Sequence, residues 1–186
     1  MQSASDVRRR LIDHLRVHSV RTDGPFTLRS GAVSDWYIDA RQTTFDGLGA
    51  AAVADAVLAV LLADVVAIGG MTMGADPIAV ATAVRAGQEG RSLRAFSIRK
   101  SDKDHGTGGR LVGPVRAGEI VAIVDDTVTT GGALVESIQV AKAAGLEVAQ
   151  VLSIVDRSGG RVGEVVAALG HRYAALVDVA ELGVGP

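Results

Sequence analysis

"VAIVDDTVTTGGALVESI", residues 121–138, sets two adjacent aspartates directly behind an uninterrupted apolar run and follows them with a threonine- and glycine-rich turn and a helix-like stretch. Four consecutive apolar residues, Val121 to Val124, leave no polar face. The run therefore reads as a strand covered on both sides, the situation of a strand inside a parallel sheet flanked by helices. The spacing predicts a strand over 120–125, a loop over 127–132 and a helix over 132–144. Asp125 and Asp126 then stand at the carboxyl end of the strand, the edge at which open α/β sheets bind their ligands.

The same texture extends on both sides. Upstream, the pattern predicts a helix over about 46–63, a strand over 65–69, a helix over 76–85 and a strand over 93–99. Downstream come a strand over 148–155, a short helix near 161–169 and a last strand over 173–177. Such alternation implies an α/β fold with right-handed crossovers and a parallel sheet. A charged, glycine-rich segment, 101–113, interrupts it. Ahead of the alternation, "GPFTLRSGAVSDWYIDAR" (24–41) switches between apolar and polar residues around a glycine turn, as an antiparallel hairpin does. A capped amphipathic helix precedes it. With 48% hydrophobic but only 3% aromatic residues among 186, the core must be Val, Ala, Leu and Ile. One domain over 1–186 is expected, with the N-terminal helix and a hood at about 1–45 and a mobile loop at about 100–113.

A net charge of −2 advertises neither nucleic acid nor an anionic membrane as a partner. With no cysteine there are no disulfides, no thiolate catalysis and no Cys-ligated metal, which is compatible with a cytoplasmic protein. The most membrane-like stretch, 50–68, is broken by Asp55 and Asp64 and reads as a helix followed by a buried strand.

The chemistry of the opening stretch follows from its order. Unpaired amides at a helix start, with the threonine hydroxyls of the same turn, form a cradle for a phosphate. Ionised carboxylates only accept hydrogen bonds, and vicinal sugar hydroxyls donate them. Together they suggest a 5-phosphorylated ribose, its phosphate on the loop and its 2- and 3-hydroxyls on Asp125 and Asp126. No GxxxxGK[ST] or strand-linked GxGxxG occurs, so a nucleotide P-loop is not indicated. Asp-Asp as plain turn and helix-cap residues is the alternative.

Four apolar residues, two acidic ones and a Thr-rich, Gly-containing loop resemble the signature of the type I phosphoribosyltransferases, matched over 121–133. Three further segments, "FTLRSG" (26–31), "RKSDKDHG" (99–106) and "VDRSGG" (155–160), resemble those of the orotate-using members, and with "GADPIA" they fall in the family's order across most of the chain. The resemblance implies transfer of phosphoribose from 5-phosphoribosyl 1-pyrophosphate to orotate, giving orotidine 5-monophosphate and pyrophosphate, in pyrimidine biosynthesis. It further implies Mg²⁺ carried by the substrate rather than by a dedicated protein cage. Lys103 is implied as the principal catalytic cation, on a loop that reaches into the partner's site of a homodimer.

The residues carry compatible chemistry. Arg99, Lys100, Lys103, His105 and Arg110 lie in a segment whose glycines permit closure over a departing pyrophosphate. Asp125 and Asp126 hold the sugar, and Thr127, Val128, Thr129, Thr130, Gly131 and Gly132 its phosphate. Backbone amides at Thr72 and Met73 correspond to the family's pyrophosphate loop, while Asp76 reads equally as an ordinary N-cap. Orotate is an anion, and Arg157 offers a planar fork to its carboxylate; pairing of Arg157 with Asp156 is the competing reading. Thr129, Arg29 and Phe26 complete the expected base site, though Phe26 suits a core equally well. Arg29 and Met73 stand where many orotate enzymes carry lysine.

Overall fold

The computed structural model describes residues 3–27, 31–101 and 109–185; Arg29, Lys103 and His105 lie outside them. Helix α1 (Ala4–His18) opens on Ser3, whose side chain accepts from the Asp6 amide, and buries Leu11 and Leu15, one turn apart. Four two-residue strands follow: β1 (Val20–Arg21), β2 (Phe26–Thr27), β3 (Val33–Ser34) and β4 (Tyr37–Ile38). β2 pairs antiparallel with β3, the expected hairpin. β4 instead turns back to β1, so the hood is two short ribbons rather than one.

Short helix α2 (Arg41–Thr44), not expected from the sequence, leads into α3 (Gly47–Val60), capped by the Asp46 carboxylate on the Leu48 and Gly49 amides. Then come β5 (Ala67–Met71), α4 (Ala75–Gln88), β6 (Arg94–Ile98), β7 (Leu111–Val112), β8 (Ile120–Val128), α5 (Gly132–Ala143), β9 (Glu147–Asp156), α6 (Arg161–Ala168) and β10 (Arg172–Asp178), with a closing 3₁₀ turn at Val179–Leu182. The main sheet has the order β10-β9-β8-β5-β6-β7. It is parallel except at its edge, where β7 runs antiparallel to β6.

The apolar run of β8 explains the layering. Val121, Ala122, Ile123 and Val124 are all fully buried. Because successive side chains of a strand point to opposite faces, they feed two cores. Ala122 and Val124 join Leu11, Leu15, Val53, Val57 and Ile78 under α1, α3 and α4. Val121 and Ile123 join Leu134, Ile138, Val162 and Val166 under α5 and α6. Asp55, which interrupts the apolar helix pattern, points away from both and binds Arg10 and Arg85, each at 2.7 Å.

Three expectations need correction. β8 does not stop at Asp125: Thr127 and Val128 stay in the ladder, facing Val155 and Asp156 of the equally long β9, so only the end of the expected loop is a loop. The interrupting charged segment is not loop throughout, since Leu111 and Val112 form β7. Asp76 is not the cap of α4, whose N-cap is Gly74; its carboxylate accepts instead from the Thr72 hydroxyl at 2.6 Å.

Candidate active site

The carboxyl ends of β8 and β9 and the start of α5 enclose a cavity of about 570 Å³, roofed by the hood. It is lined by Asp125, Thr127, Val128, Thr129, Thr130, Gly131, Gly132, Ala133, Arg157, Thr27 and Tyr37. α5 starts without a side-chain cap. Its N-cap Gly131 sits at φ +77°, where a Cβ would be strained and would lie 3.3 Å from Val162 Cγ2. The first amides of α5 therefore face the cavity side of the turn with no internal partner, at the positive end of the helix dipole. The Thr127 hydroxyl is buried without a hydrogen-bond partner, a further donor held ready for an anion.

The two aspartates lie side by side at the end of β8. Asp125 lines the cavity. Asp126 lies beside it against the start of α4 and is influenced by Arg41 and Asp39 at the base of the hood. Gly74 lets α4 approach both, since a Cβ there would lie 2.9 Å from Asp125 Oδ1 and 3.0 Å from Asp126 Cγ. The Asp126 amide donates to Asp125 Oδ1 at 3.0 Å, and the Thr127 amide to Asp126 Oδ1 at 2.6 Å. Burial, then the neighbouring Asp126 charge, pushes the Asp125 carboxyl up to about 7. Burial also raises Asp126, against the opposing pull of the Thr127 amide and of Arg41.

Arg157 reaches the cavity from the end of β9. It does not pair with Asp156, whose buried carboxylate accepts from the Ser158 amide at 2.6 Å and the Tyr173 hydroxyl at 3.0 Å. Arg157 stacks on Trp36 instead, its Cζ 4.5 Å from the ring centroid, and its Nε is buried without a partner. Burial lowers its guanidinium from its ordinary value.

Other expected residues lie elsewhere. Phe26 packs on Tyr37 at 5.8 Å between ring centroids, under the Arg21 guanidinium, and Tyr37 rather than Phe26 forms the aromatic wall of the cavity. The Thr72 amide is already bonded to Ile98 O at 2.8 Å, so it does not serve as a free phosphate donor; Met73, half of whose surface is exposed, lies outside the cavity lining. Arg99 and Lys100 follow directly on β6, at the same edge of the sheet but away from the cavity wall. Arg110 is not a free cation: its Nε donates to Arg99 O at 2.7 Å and its terminal nitrogen to Glu136 at 2.5 Å. It anchors the base of the interrupting segment. Thr27, Tyr37 and Trp36 escaped the sequence reading; the available signal was "WY" in a chain with 3% aromatic residues.

A donor cradle for a phosphate beside a carboxylate acceptor for a diol suits a phosphorylated pentose, and the class that this fold and cavity define is the type I phosphoribosyltransferases. Comparison with known proteins narrows it. The chain is 41% identical over 181 residues to the orotate phosphoribosyltransferase of Streptomyces avermitilis, covering 96% of this chain and 98% of the relative. It superimposes with a TM-score of 0.80 and 30% identity on a Mycobacterium tuberculosis orotate phosphoribosyltransferase solved with 5-phospho-α-D-ribosyl 1-diphosphate, covering 96% of this chain and 99% of that one. The chain belongs to the orotate phosphoribosyltransferase family. An adenine phosphoribosyltransferase from Leishmania tarentolae, at 14% identity and a TM-score of 0.57 over 78% of each chain, shares the fold alone. No protein-family model matches the chain.

Proposed function

We propose that the enzyme transfers phosphoribose from 5-phosphoribosyl 1-pyrophosphate to orotate, releasing orotidine 5-monophosphate and pyrophosphate. One observation carries the reading: Asp125, the uncapped start of α5 and Arg157 converge on a single cavity. The amides of Thr129 to Gly132, with the Thr127 and Thr130 hydroxyls, hold the 5-phosphate. Asp125 and Asp126, in their ionised form, accept from the ribose hydroxyls and favour the positive charge that develops on the sugar as its bond to pyrophosphate breaks. Arg157 binds the orotate carboxylate through the edge of its fork, and Tyr37 and Thr129 flank the ring. No protein nucleophile is needed in this scheme, because placement and electrostatics supply the catalysis.

Arg99 and Lys100, leaving β6 at the binding edge, and Lys103 and His105 beyond them stabilise the departing pyrophosphate. Mg²⁺ enters with the substrate, and the oxygen-only donors Asp125 and Asp126 suit a hard cation of that kind. When bound, it neutralises charge on the pyrophosphate. Among the described residues no group of three or more His, Asp or Glu side chains forms a metal cage. The chain works as one catalytic domain, in the cytoplasm, and as a homodimer whose cationic loop serves the partner's site. Exposed Leu48 and, one turn apart on α4, Val80 and Val84 support such an interface. Among the described residues no helix is long and apolar enough to cross a membrane.

Incubation with Mg²⁺, 5-phosphoribosyl 1-pyrophosphate and a panel of orotate, uracil, adenine, guanine and hypoxanthine tests the reading. Consumption of orotate ahead of all others is expected. Consumption of another base with orotate untouched defeats the choice of substrate, and a silent panel defeats the enzymatic reading.

A further inference from the structure

What fixes the direction of the Arg157 fork is not on its own strand. The backbone N–H of Arg157 donates to Val128 O at 2.8 Å, which ties down its Cα only. The adjacent carboxylate of Asp156 is committed to Ser158 and Tyr173. Among the described residues no acidic side chain forms an ion pair with Arg157. The guanidinium lies over the ring of Trp36, its Cζ 4.5 Å from the centroid.

Trp36 is itself well fixed. Its side chain packs against the core cluster that includes Leu11 and Val155. Its backbone is held at both ends by one hydroxyl: the Trp36 amide donates to Ser34 Oγ at 3.3 Å, and Ser34 Oγ donates to Trp36 O at 2.8 Å. Tyr37, the next residue, lines the cavity. A ring held over the guanidinium carbon takes no N–H donor, and the Arg157 Nε has no partner in the protein, so the fork keeps the donors a carboxylate needs for two parallel hydrogen bonds. An unstacked arginine would have to give up side-chain freedom each time it bound the anion.

We propose that Trp36 is a positioning residue for the base: it acts through Arg157, holding the guanidinium edge-on to the carboxylate, and so favours orotate over pyrimidines without that group. The inference rests on Arg157 being the partner of the orotate carboxylate. Direct stacking of Trp36 on the base is a different role, and the two are separable by measurement.

The test is a double-mutant cycle of Trp36→Leu and Arg157→Ala, with KM for orotate and for 5-phosphoribosyl 1-pyrophosphate measured separately. Trp36→Leu is expected to raise the orotate KM roughly three- to thirtyfold, the worth of a partly desolvated cation–π contact. The other KM stays within about twofold, and Trp36→Phe, which keeps a ring, restores most of the loss. In the Arg157→Ala background, Trp36→Leu has no further effect on the orotate KM. Additive effects overturn the proposal, as does a parallel rise of both KM values. If Arg157→Ala raises the orotate KM and Trp36→Leu does not, only the role of Trp36 falls. If Arg157→Ala itself leaves that KM unchanged, the reading of Arg157 falls first.

A measurement on the unaltered protein keeps the idea testable should Trp36→Leu fail to fold. Trp36 is the single tryptophan. Saturation with orotidine 5-monophosphate should alter its emission much more than saturation with uridine 5-monophosphate, which differs only by the carboxylate. Equal responses overturn the proposal.

Discussion

Asp125→Asn should make the free enzyme more stable and nearly inactive, with the gain appearing only as pH rises. The carboxyl of Asp125 titrates near 7 in the folded protein against an ordinary 3.8, because it is buried and faces Asp126. A folded-state value above the unfolded one means that the native protein holds a proton the unfolded chain has released. Native stability therefore falls as pH rises from about 4 to about 7, and the loss is complete above that. At roughly 1.4 kcal/mol per unit, the full penalty is on the order of 4 kcal/mol. Asparagine keeps the shape and the oxygen that accepts from the Asp126 amide, so it removes the charge without opening a hole. The variant should match the parent near pH 4 and melt about 10 °C higher at pH 8, taking a few degrees per kcal/mol for a chain of this size. Transfer to orotate should fall by on the order of a hundredfold or more, because an amide replaces an acceptor with a donor. Thermal unfolding of both proteins at pH 4, 5, 6, 7 and 8 decides it. An offset that does not change with pH, or a variant less stable at pH 8, refutes the reasoning.

Other outcomes follow from the same geometry. Lys103→Ala should lower kcat by on the order of a hundredfold, and unchanged turnover would remove Lys103 from the chemistry. Gly131→Ala forces a side chain into a left-handed backbone position and towards Val162; a loss of about 1–2 kcal/mol on denaturant unfolding, with a raised KM for 5-phosphoribosyl 1-pyrophosphate, is expected. Tyr173→Phe removes the hydroxyl that donates to the buried Asp156 carboxylate at 3.0 Å, which should cost about 1–3 kcal/mol in the same measurement. Binding of 5-phosphoribosyl 1-pyrophosphate should weaken as pH falls below about 7, the value near which Asp125 takes up a proton, and release a proton to buffer in that range; calorimetry in buffers of different ionisation enthalpy reads it.

Much of the site was legible because its chemistry is contiguous. The strand, the aspartates, the phosphate loop and the helix start all fall within β8 and α5, and apolar run, acidic pair and glycine turn each have a local physical meaning. Arg157 was legible for a similar reason, as a charged residue directly after the end of the largely apolar β9. What escaped depends on pairing between distant segments. Strand β8 runs on through Val128 because β9 is long enough to pair with it, a fact absent from residues 121–138 themselves. The Thr72 amide reads as free until β6 arrives beside it to take the bond at Ile98 O. Arg110 reads as one more cation of a charged segment until Glu136 of α5 and the carbonyl of Arg99 claim its guanidinium. The stack of Trp36 on Arg157 joins the hood to the sheet across most of the chain, and no local pattern announces it.

The two negative charges that follow the apolar run of β8 have an energetic meaning as well as a chemical one. Asp125 lines the cavity and Asp126 lies beside it near Arg41, both partly buried within β8, so the pair is not a turn exposed to water. Both carboxyls are raised by burial, which means that the free protein holds them at a cost. A ligand that brings hydroxyl donors and a cation relieves that cost in the complex and not in the free enzyme, so part of the binding energy is set aside in the fold before substrate arrives. A neutral pair at the same positions would give a more stable protein with less to gain from the sugar, which is why the destabilising residues and the ribose-binding residues are the same two side chains.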